Sequence, residues 1–425
     1  MKSMPPPPPV TSALTALRRR VARRKFQFEA EPAHHGRRLF VDVSVIVTGD
    51  ARTGIQRVVR ALLGQLASAV DPSITVQPVF ASKEHGYCKA LLLPDGEIRN
   101  ASSRPMGRQP VEVGRGDVFL GLDLAAHLLP HLESDLRRFK RQGATINIMV
   151  YDLLPVVQPG WFSPRTGENF KRWLGVLARQ ADLCIGISDD VTKSLSQALR
   201  ARAQPTLPDF ATIPLGHDLV ATYPSRGLPA NIAELRAWVK SHKVVLAVGT
   251  IEPRKGYQVL LAALDRHWLT HPESDVALLI VGKSGWKTEK LQERISNHPE
   301  LGRRLIWLKE ASDELLEELY TDAAGLVAAS HGEGFGLPLI EALSLGTPVL
   351  ARDLPVFREI GGPLFDYFED DTADALAARI EDWLASVRPP AATTLRTLPT
   401  WADSAAALAH CIGVGPTIQT RGDGV

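Results

Sequence analysis

Short runs of apolar, often β-branched residues alternate along this chain with segments whose apolar residues recur at helical spacing. Such runs are typical of fully buried strands, and strands that alternate with helices indicate a parallel sheet covered by helices on both faces. The chain is therefore predicted to be an α/β protein. The predicted strands of the first series are 39–47, 75–79, 118–122, 145–150, 183–187 and 211–214.

A second series of the same kind follows a connecting segment, so the 425 residues divide into two α/β halves of similar size. Its predicted strands are 243–249, 276–282, 304–308, 325–330 and 348–351. Residues 94–115 are rich in Gly, Pro, Ser and Arg and are expected to form a surface loop. The predicted units are a basic, Pro-rich extension (1–38), an N-terminal domain (39–218), a C-terminal domain (219–398) and a terminal helix with a tail (399–425).

The N-terminal extension carries nine Lys or Arg and two Glu up to Arg38, whereas the whole chain has a net charge of only +2. Its apolar residues stand near helical spacing among the arginines, which is typical of a basic amphipathic helix on an anionic membrane surface. A solvated basic tail is the alternative, and both stay open. Nucleic-acid binding is disfavoured, because the run has little aromatic interleaving and the remaining chain is acidic.

Composition places the protein among ordinary globular proteins, with 44% hydrophobic and 23% charged residues. There is no run of about 18 apolar residues and no apolar stretch typical of a secretory signal. The three scattered cysteines suit a reducing compartment. We expect a cytoplasmic protein, peripheral on the inner face of the cell membrane if the basic extension binds there.

Residues 330–359 hold the most informative pattern, in which Glu333 and Glu341 flank a glycine-rich turn. The order predicts a strand ending near 328–330, a loop, and a helix that begins near 336–338, where Pro suits the first turn. Gly334 and Gly336 allow close backbone approach, and a helix N-terminus attracts an anion such as a diphosphate. Glu341 is expected to accept hydrogen bonds from sugar hydroxyls. The alternative is an ordinary turn whose glycines serve only the bend.

The string E-G-F-G-L-P-x-x-E-A-x-x-x-G-T-P-V, beginning at Glu333, resembles the E-x7-E motif of retaining glycosyltransferases of family 4. The resemblance spans about 39–409. It implies the GT-B fold, in which two Rossmann-like domains face each other across a cleft, and a nucleotide-sugar donor. It also implies that the terminal helix crosses back to the first domain, and that the loop amides near Phe335 and Leu337 face the donor phosphates.

The resemblance assigns further residues in the second half. In V-G-T-I-E-P-R-K-G-Y, which follows a strand, Arg254 and Lys255 are expected to stabilise the departing diphosphate. Many relatives have Arg where this chain has Thr250, so Lys255 is the firmer assignment. Gly249 and Gly282 follow two neighbouring strands and are expected to admit the donor closely.

In the first half, Gly54 stands in the segment that takes the place of a donor-closing loop. Relatives often have a His-Asp pair where this chain has Tyr151 and Asp152, and in them the His contacts the donor sugar. The substitution by Tyr151 puts that contact in doubt. Asp152 is expected either to orient a hydroxyl of the acceptor or sugar, or to cap a backbone N–H group. His331 contacts the sugar or only ends a strand. Ser188 or Asp189 is predicted to be a helix N-cap. Gln56 and Arg57 either belong to the same donor-closing segment as Gly54 or lie on the helix surface, and both stay open. His217 is expected to face solvent.

No catalytic metal or other cofactor is predicted, because the histidines are not expected to form a ligand cluster and GT-B enzymes work with cations and helix dipoles. The resemblance implies transfer with retention, by same-face attack rather than through a covalent glycosyl-enzyme. Glu333 is accordingly expected to bind hydroxyls of the sugar and not to act as a nucleophile. It favours GDP-mannose as donor and a glycan on a polyprenyl diphosphate as acceptor, in O-antigen or exopolysaccharide assembly. Three alternatives stay open: a UDP-sugar transferase with a soluble acceptor, a sugar-nucleotide 2-epimerase, and a catalytically silent binding partner.

Overall fold

The computed structural model describes residues 36–49, 53–82, 86–93, 97–100, 110–202, 205–219, 227–369, 372–387, 389 and 398–416. The N-terminal extension up to residue 35 and the tail after residue 416 lie outside this range. The predicted membrane-binding helix therefore lies outside the described residues. Among the described residues, no helix is both long and apolar enough to cross a membrane.

The N-terminal sheet has eight strands in the order β4-β3-β2-β1-β5-β6-β7-β8. It is parallel except for β3 and β4, which pair antiparallel at one edge. The strands are β1 (Arg38–Asp42), β2 (Thr75–Ser82), β3 (Gly86–Leu92), β4 (Ile98–Asn100), β5 (Val118–Gly121), β6 (Thr145–Val150), β7 (Leu183–Gly186) and β8 (Asp209–Thr212). The hairpin of β3 and β4 corrects the expectation that 94–115 is wholly a loop; residues 101–109 lie outside the described range.

Helices cover this sheet, and their bounds are α1 (Ser44–Thr48), α2 (Gly54–Ala69), α3 (Glu133–Arg141), α4 (Leu154–Val157), α5 (Pro164–Gln180) and α6 (Asp189–Arg200). The predicted strand 39–47 is too long, because its second half forms α1. The buried carboxylate of Asp123 accepts the backbone N–H groups of Val45 and Ile46, at 2.9 and 2.8 Å, and so holds the chain in a helical turn. Ser188 is the N-cap of α6, as predicted, with its hydroxyl accepting from Val191 N–H.

The C-terminal sheet has six strands, all parallel, in the order β11-β10-β9-β12-β13-β14. The strands are β9 (Lys243–Val248), β10 (Val276–Val281), β11 (Leu305–Leu308), β12 (Gly325–Ala328), β13 (Val349–Arg352) and β14 (Asp366–Phe368). The helices are α7 (Ile232–Lys240), α8 (Tyr257–Thr270), α9 (Glu289–Ser296), α10 (Asp313–Asp322), α11 (Leu337–Ser344), α12 (Pro355–Gly361) and α13 (Ala373–Ser386). The strands β9 and β10 are buried over most of their length, as their apolar runs predict.

The last described helix, α14 (Trp401–Cys411), packs against α2 of the N-terminal half. Its start is held by Asp218, whose carboxylate accepts the Trp401 N–H at 2.8 Å. Gly216 lies so close that a Cβ there would stand 2.2 Å from the Trp401 nitrogen. His217 is half-buried and lies 2.7 Å from the Pro399 carbonyl through Nδ1, which corrects the expectation that it faces solvent.

Candidate active site

Three loops that follow strands meet between the two sheets. They follow β6, β9 and β12, at the carboxyl ends of the strands, where parallel sheets bind ligands. The β9 and β12 loops touch: His331 N–H donates to the Arg254 carbonyl at 2.7 Å. Gly256, with φ of +67°, permits this contact, because a Cβ there would lie 2.0 Å from the Ala329 carbonyl oxygen.

Glu333 is the centre of the charged cluster in these loops. Its Oε2 lies 2.5 Å from Arg254 Nη1, and its Oε1 lies 2.6 Å from Lys255 Nζ. Ser330 Oγ also donates to Oε1, at 2.7 Å. Burial on its own would raise the pKa of this carboxyl, but the two cations prevail and lower the pKa to about 2. Glu333 is therefore ionised throughout the neutral range, and all three of its described partners are donors.

Arg254 joins Glu333 to three further groups. It donates to Glu252 Oε2 at 2.9 Å and to the Gly332 carbonyl at 3.0 Å. Burial raises the pKa of Asp152 and of Glu252, and Arg254 partly offsets this for both. The Asp152 carboxylate also accepts the Leu154 N–H at 3.0 Å, so that it caps the first turn of α4. All four residues proposed for catalysis, Glu333, Lys255, Arg254 and Asp152, thus belong to one electrostatic cluster.

The N-terminus of α11 lies beside this cluster. Its N-cap is Gly336, with φ of +116°, and no side chain caps the helix. Phe335 and Leu337, on either side of this N-cap, are buried. A narrow cavity between β9, β12 and α11 is lined by Lys255, Glu333 and Gly336 among others. Lys255 and the N-terminus of α11 therefore border the same space, and Arg254 is held next to it by Glu333, which suits a phosphate.

Gly334 lies at the contact between the two halves. A Cβ there would stand 1.9 Å from the Tyr151 carbonyl oxygen, and the Gly334 carbonyl accepts from Ser188 Oγ at 2.8 Å. The glycine thus serves the approach of one domain to the other. The Tyr151 side chain points away from the cleft: it is buried and its hydroxyl donates to the Leu122 carbonyl at 2.6 Å, which does not support a contact between that side chain and the donor.

Glu341 makes the second contact between the halves. Arg57, on α2 of the N-terminal half, reaches it with Nη1 at 2.5 Å and reaches Asp313 with Nη2 at 2.6 Å. Tyr320 OH donates to the other Glu341 oxygen at 3.0 Å. The Glu341 side chain is only 3% exposed, so a sugar hydroxyl reaches its Oε1 only if the guanidinium moves. Arg57 thus lies on helix α2, where its side chain makes an interdomain contact.

The other predicted glycines differ in what surrounds them. Gly249 has φ of +141° and lies against the Lys255 side chain, so it shapes the cation site. Gly282 is required by packing, because a Cβ there would lie 1.9 Å from the Gly249 carbonyl oxygen. Gly54 is exposed at the first turn of α2, which Thr53 and the buried Gln56 close as a capping box, and it makes no close contact. His331 is exposed beside the charged cluster.

Sequence reasoning missed the other contacts between the halves. Glu359, on α12, accepts the backbone N–H groups of Asp189 and Asp190 at 2.7 and 3.1 Å, and so caps α6 from the other domain. Trp286 and Lys287 donate to carbonyls at 160–162. None of these contacts has a local sequence signal, because each partner lies more than a hundred residues away.

The expectation that the histidines form no ligand cluster is wrong. His267 and His271, in H-W-L-T-H, lie close to Glu381, away from this site.

Comparison with solved structures defines the class of fold. The structure superposes on sucrose-phosphate synthase from Thermosynechococcus elongatus with a TM-score of 0.57, at 20% identity, covering 88% of this chain and 96% of that one. Anabaena HepE in complex with UDP and glucose gives a TM-score of 0.54 at 18% identity, over 89% and 95% of the two chains. The chain has the GT-B fold, as predicted.

The sequence of the second half is similar to a known family. Residues 232–393 match the family model described as "Glycosyl transferases group 1". The chain is 36% identical over 369 residues to the serotype-specific mannosyltransferase WbdA of Escherichia coli, covering 86% of this chain and 44% of the relative. The O-antigen chain mannosyltransferase B of Escherichia coli is 32% identical over 38% of this chain and 42% of its own length. The chain thus spans less than half the length of these relatives.

Proposed function

We propose that this protein is a retaining glycosyltransferase that transfers mannose from GDP-mannose to a hydroxyl of a glycan in bacterial surface polysaccharide synthesis. The observation that carries the proposal is the pair of cations, Arg254 and Lys255, held beside the N-terminus of α11 at the cleft between two Rossmann-like sheets. This arrangement suits a nucleoside diphosphate leaving group. The similarity to WbdA supports mannose as the sugar and O-antigen assembly as the process.

In the proposed reaction the sugar–phosphate bond breaks while Lys255, Arg254 and the amides near Phe335 to Leu337 stabilise the charge that develops on the diphosphate. The acceptor oxygen then attacks the anomeric carbon from the same face, and a phosphate oxygen takes the acceptor proton. Glu333 is poorly suited to a covalent route, because its low pKa and its three donors make it a weak nucleophile. Its role in this proposal is to hold Lys255 and Arg254 at their working positions.

Asp152 is proposed to orient the acceptor hydroxyl or a sugar hydroxyl, since it is half-buried beside Arg254 at the loop after β6. Glu341 is proposed to accept hydrogen bonds from hydroxyls of the donor once Arg57 has moved away from its Oε1. The acceptor is proposed to be a glycan linked to a polyprenyl diphosphate, which would bring the protein to the inner face of the cell membrane. No step of this mechanism uses a metal ion.

A donor panel tests the proposal. The full chain is incubated in EDTA with GDP-mannose, UDP-glucose, UDP-N-acetylglucosamine, UDP-galactose or dTDP-rhamnose, and nucleotide release and thermal shift are recorded. We expect GDP-mannose alone to raise the unfolding temperature and to release nucleotide slowly. A response to a UDP-sugar instead would change the proposed donor and leave the transferase assignment unchanged. No response to any donor would overturn the nucleotide-sugar site, and binding without turnover, even with acceptor glycans supplied, would favour a silent partner.

The Lys255→Ala variant is the matched control for that panel, because it removes a proposed phosphate contact and leaves Glu333 paired with Arg254. The stereochemistry needs a separate experiment. Proton NMR of the glycoside formed with a mannose-containing acceptor is expected to show the α-linkage, which retains the configuration of the donor. A β-linked product would refute retention without affecting the transferase assignment.

A further inference from the structure

A cluster of His267, His271 and Glu381 lies on the outside of the C-terminal domain and takes no part in the proposed reaction. The two histidines stand one turn apart at the end of α8 and just beyond it, and Glu381 lies on the neighbouring helix α13. One ligand atom from each of the three residues lies within 4.8 Å of the others. We propose that these three side chains form a binding site for a divalent transition metal ion, with Zn²⁺ as the natural occupant.

The distances suit a tetrahedral ion. His267 Nδ1 lies 3.7 Å from Glu381 Oε2, and His271 Nε2 lies 3.6 Å from Glu381 Oε1. Ligand atoms bound to zinc at about 2.0–2.2 Å in tetrahedral geometry stand roughly 3.4 Å apart, so these atoms, which lie within 4.8 Å of one another, draw together by up to about 1.4 Å on binding. Two imidazoles and one carboxylate are ligands that Zn²⁺ accepts readily, and the exposed side of the cluster leaves the fourth position to water.

A hydroxyl faces the other nitrogen of each histidine. His267 Nε2 lies 2.8 Å from Ser274 Oγ, and His271 Nδ1 lies 3.0 Å from Thr270 Oγ1. The Thr270 hydroxyl donates to the Arg266 carbonyl at 3.0 Å, so its lone pairs are turned to the histidine. Hydrogen bonds of this kind fix the tautomer and leave the opposite nitrogen free to bind a metal.

The charges around the cluster are compatible with a cation. The rings of His267 and His271 are stacked, with their centroids 4.8 Å apart, so both lie on the same side of the cluster. The guanidinium of Arg304 binds both oxygens of Glu300, a carboxylate that it shares with Arg303. Glu381 supplies a negative charge to the cluster itself.

The site lies far from the proposed chemistry. It is at the end of α8, whereas Arg254 and Lys255 precede the start of that helix, and 14 helical residues span about 20 Å. A metal here joins the end of α8 to α13 on one face of the sheet. Its effect is therefore expected on the stability of the C-terminal domain rather than on the reaction.

A Co²⁺ titration of the tag-free full chain, followed by visible absorption and by Zn²⁺ competition, tests this inference. We expect one equivalent to bind with the absorption bands of four-coordinate cobalt, and Zn²⁺ to raise the unfolding temperature by a few degrees. His271→Ala and Glu381→Ala are each expected to weaken binding by about 100-fold or more, since even outer partners of a ligand are worth about 10–100-fold.

Two controls separate this site from other sources of metal binding. Asp382→Asn changes the exposed neighbour of Glu381 on the same helix and is expected to bind as the parent does. His34→Ala/His35→Ala removes the paired histidines of the N-terminal extension and is also expected to bind normally. Equal affinity of the parent and the His271→Ala and Glu381→Ala variants would overturn the proposal, as would no binding at about 100 μM metal.

Discussion

The two halves of the molecule share one architecture but contribute to the cleft in different ways. In the C-terminal half, Arg254 and Lys255 come from one loop and both bind Glu333 of the adjacent loop of the same sheet. In the N-terminal half, Arg57 and Ser188 reach the cleft only through contacts with the opposite domain. A site built within one domain is readable from local motifs, whereas a site built between domains depends on how they dock.

The difference also separates two kinds of glycine. Gly256 and Gly336 have positive φ angles and shape loops inside the C-terminal domain. Gly334 belongs to the same motif as Gly336, yet its lack of a side chain allows the Tyr151 carbonyl of the other half to approach closely. One motif therefore carries both the chemistry of the C-terminal domain and its docking surface.

Lys255→Ala tests the chemistry of the C-terminal half. The variant removes one of the two cations proposed to stabilise the leaving diphosphate, and we expect kcat/KM for the donor to fall about 10²–10³-fold. Steady-state nucleotide release measures this. Lys290→Ala, an exposed lysine on α9, is the matched control and is expected to leave the rate unchanged. An equal rate in both variants would remove Lys255 from the mechanism.

Glu333→Gln tests the electrostatics of the same cluster. The folded pKa of about 2 lies below the ordinary 4.5, so Glu333 stabilises the fold fully above pH 4.5 and loses this contribution as pH falls toward 2. The shift corresponds to about 3 kcal/mol in the free energy of unfolding. Urea unfolding at pH 6 and pH 3 is expected to show a larger acid loss in the parent than in Glu333→Gln. The exposed Glu168→Gln is the control and is expected to behave as the parent.

Arg57→Ala tests the contact between the halves. We expect the free energy of unfolding to fall by about 2 kcal/mol, because two carboxylates lose their partner. We also expect GDP to bind about 3–10-fold more tightly, since Glu341 becomes free to accept its hydroxyls. Calorimetric titration measures the affinity. Arg57→Lys keeps the charge without the two-pronged contact, and its GDP affinity is expected to lie between those of the parent and Arg57→Ala. Weaker GDP binding in Arg57→Ala would mean that Arg57 contacts the nucleotide and does not compete with it for Glu341.

Glu359→Ala tests the helix cap that crosses the cleft. Loss of the acceptor for the Asp189 and Asp190 N–H groups is expected to lower the free energy of unfolding by about 1 kcal/mol. Glu359→Gln keeps an acceptor and removes a charge that lies near two aspartates, so we expect it to be close to neutral. Thermal unfolding of both variants measures the difference. An equal loss in both would mean that the charge, not the hydrogen bond, matters.

Much of the fold was predictable because buried strands and amphipathic helices have distinct periods. The strands β9 and β10 are predicted to within one residue, while β1 is shorter than predicted. The reason is that the apolar residues 43–47 suit either a strand or a helix, and the distant Asp123 carboxylate decides in favour of α1. The strand β4 was missed because the loop-like composition of 94–115 hides its pairing, whereas β3 is mostly apolar, so composition does not explain why it was missed.

From the sequence come the two α/β halves, the GT-B fold through the family resemblance, and the choice of Glu333, Arg254 and Lys255 as candidate site residues. These follow from short segments, in which a strand, a turn and a helix place nearby residues at one edge of a sheet. The tertiary structure alone decided that Arg57 binds Glu341, that Glu359 caps α6 and that Tyr151 faces the core. Those contacts join residues far apart in the chain, so only the docking of the two sheets brings them within hydrogen-bonding distance.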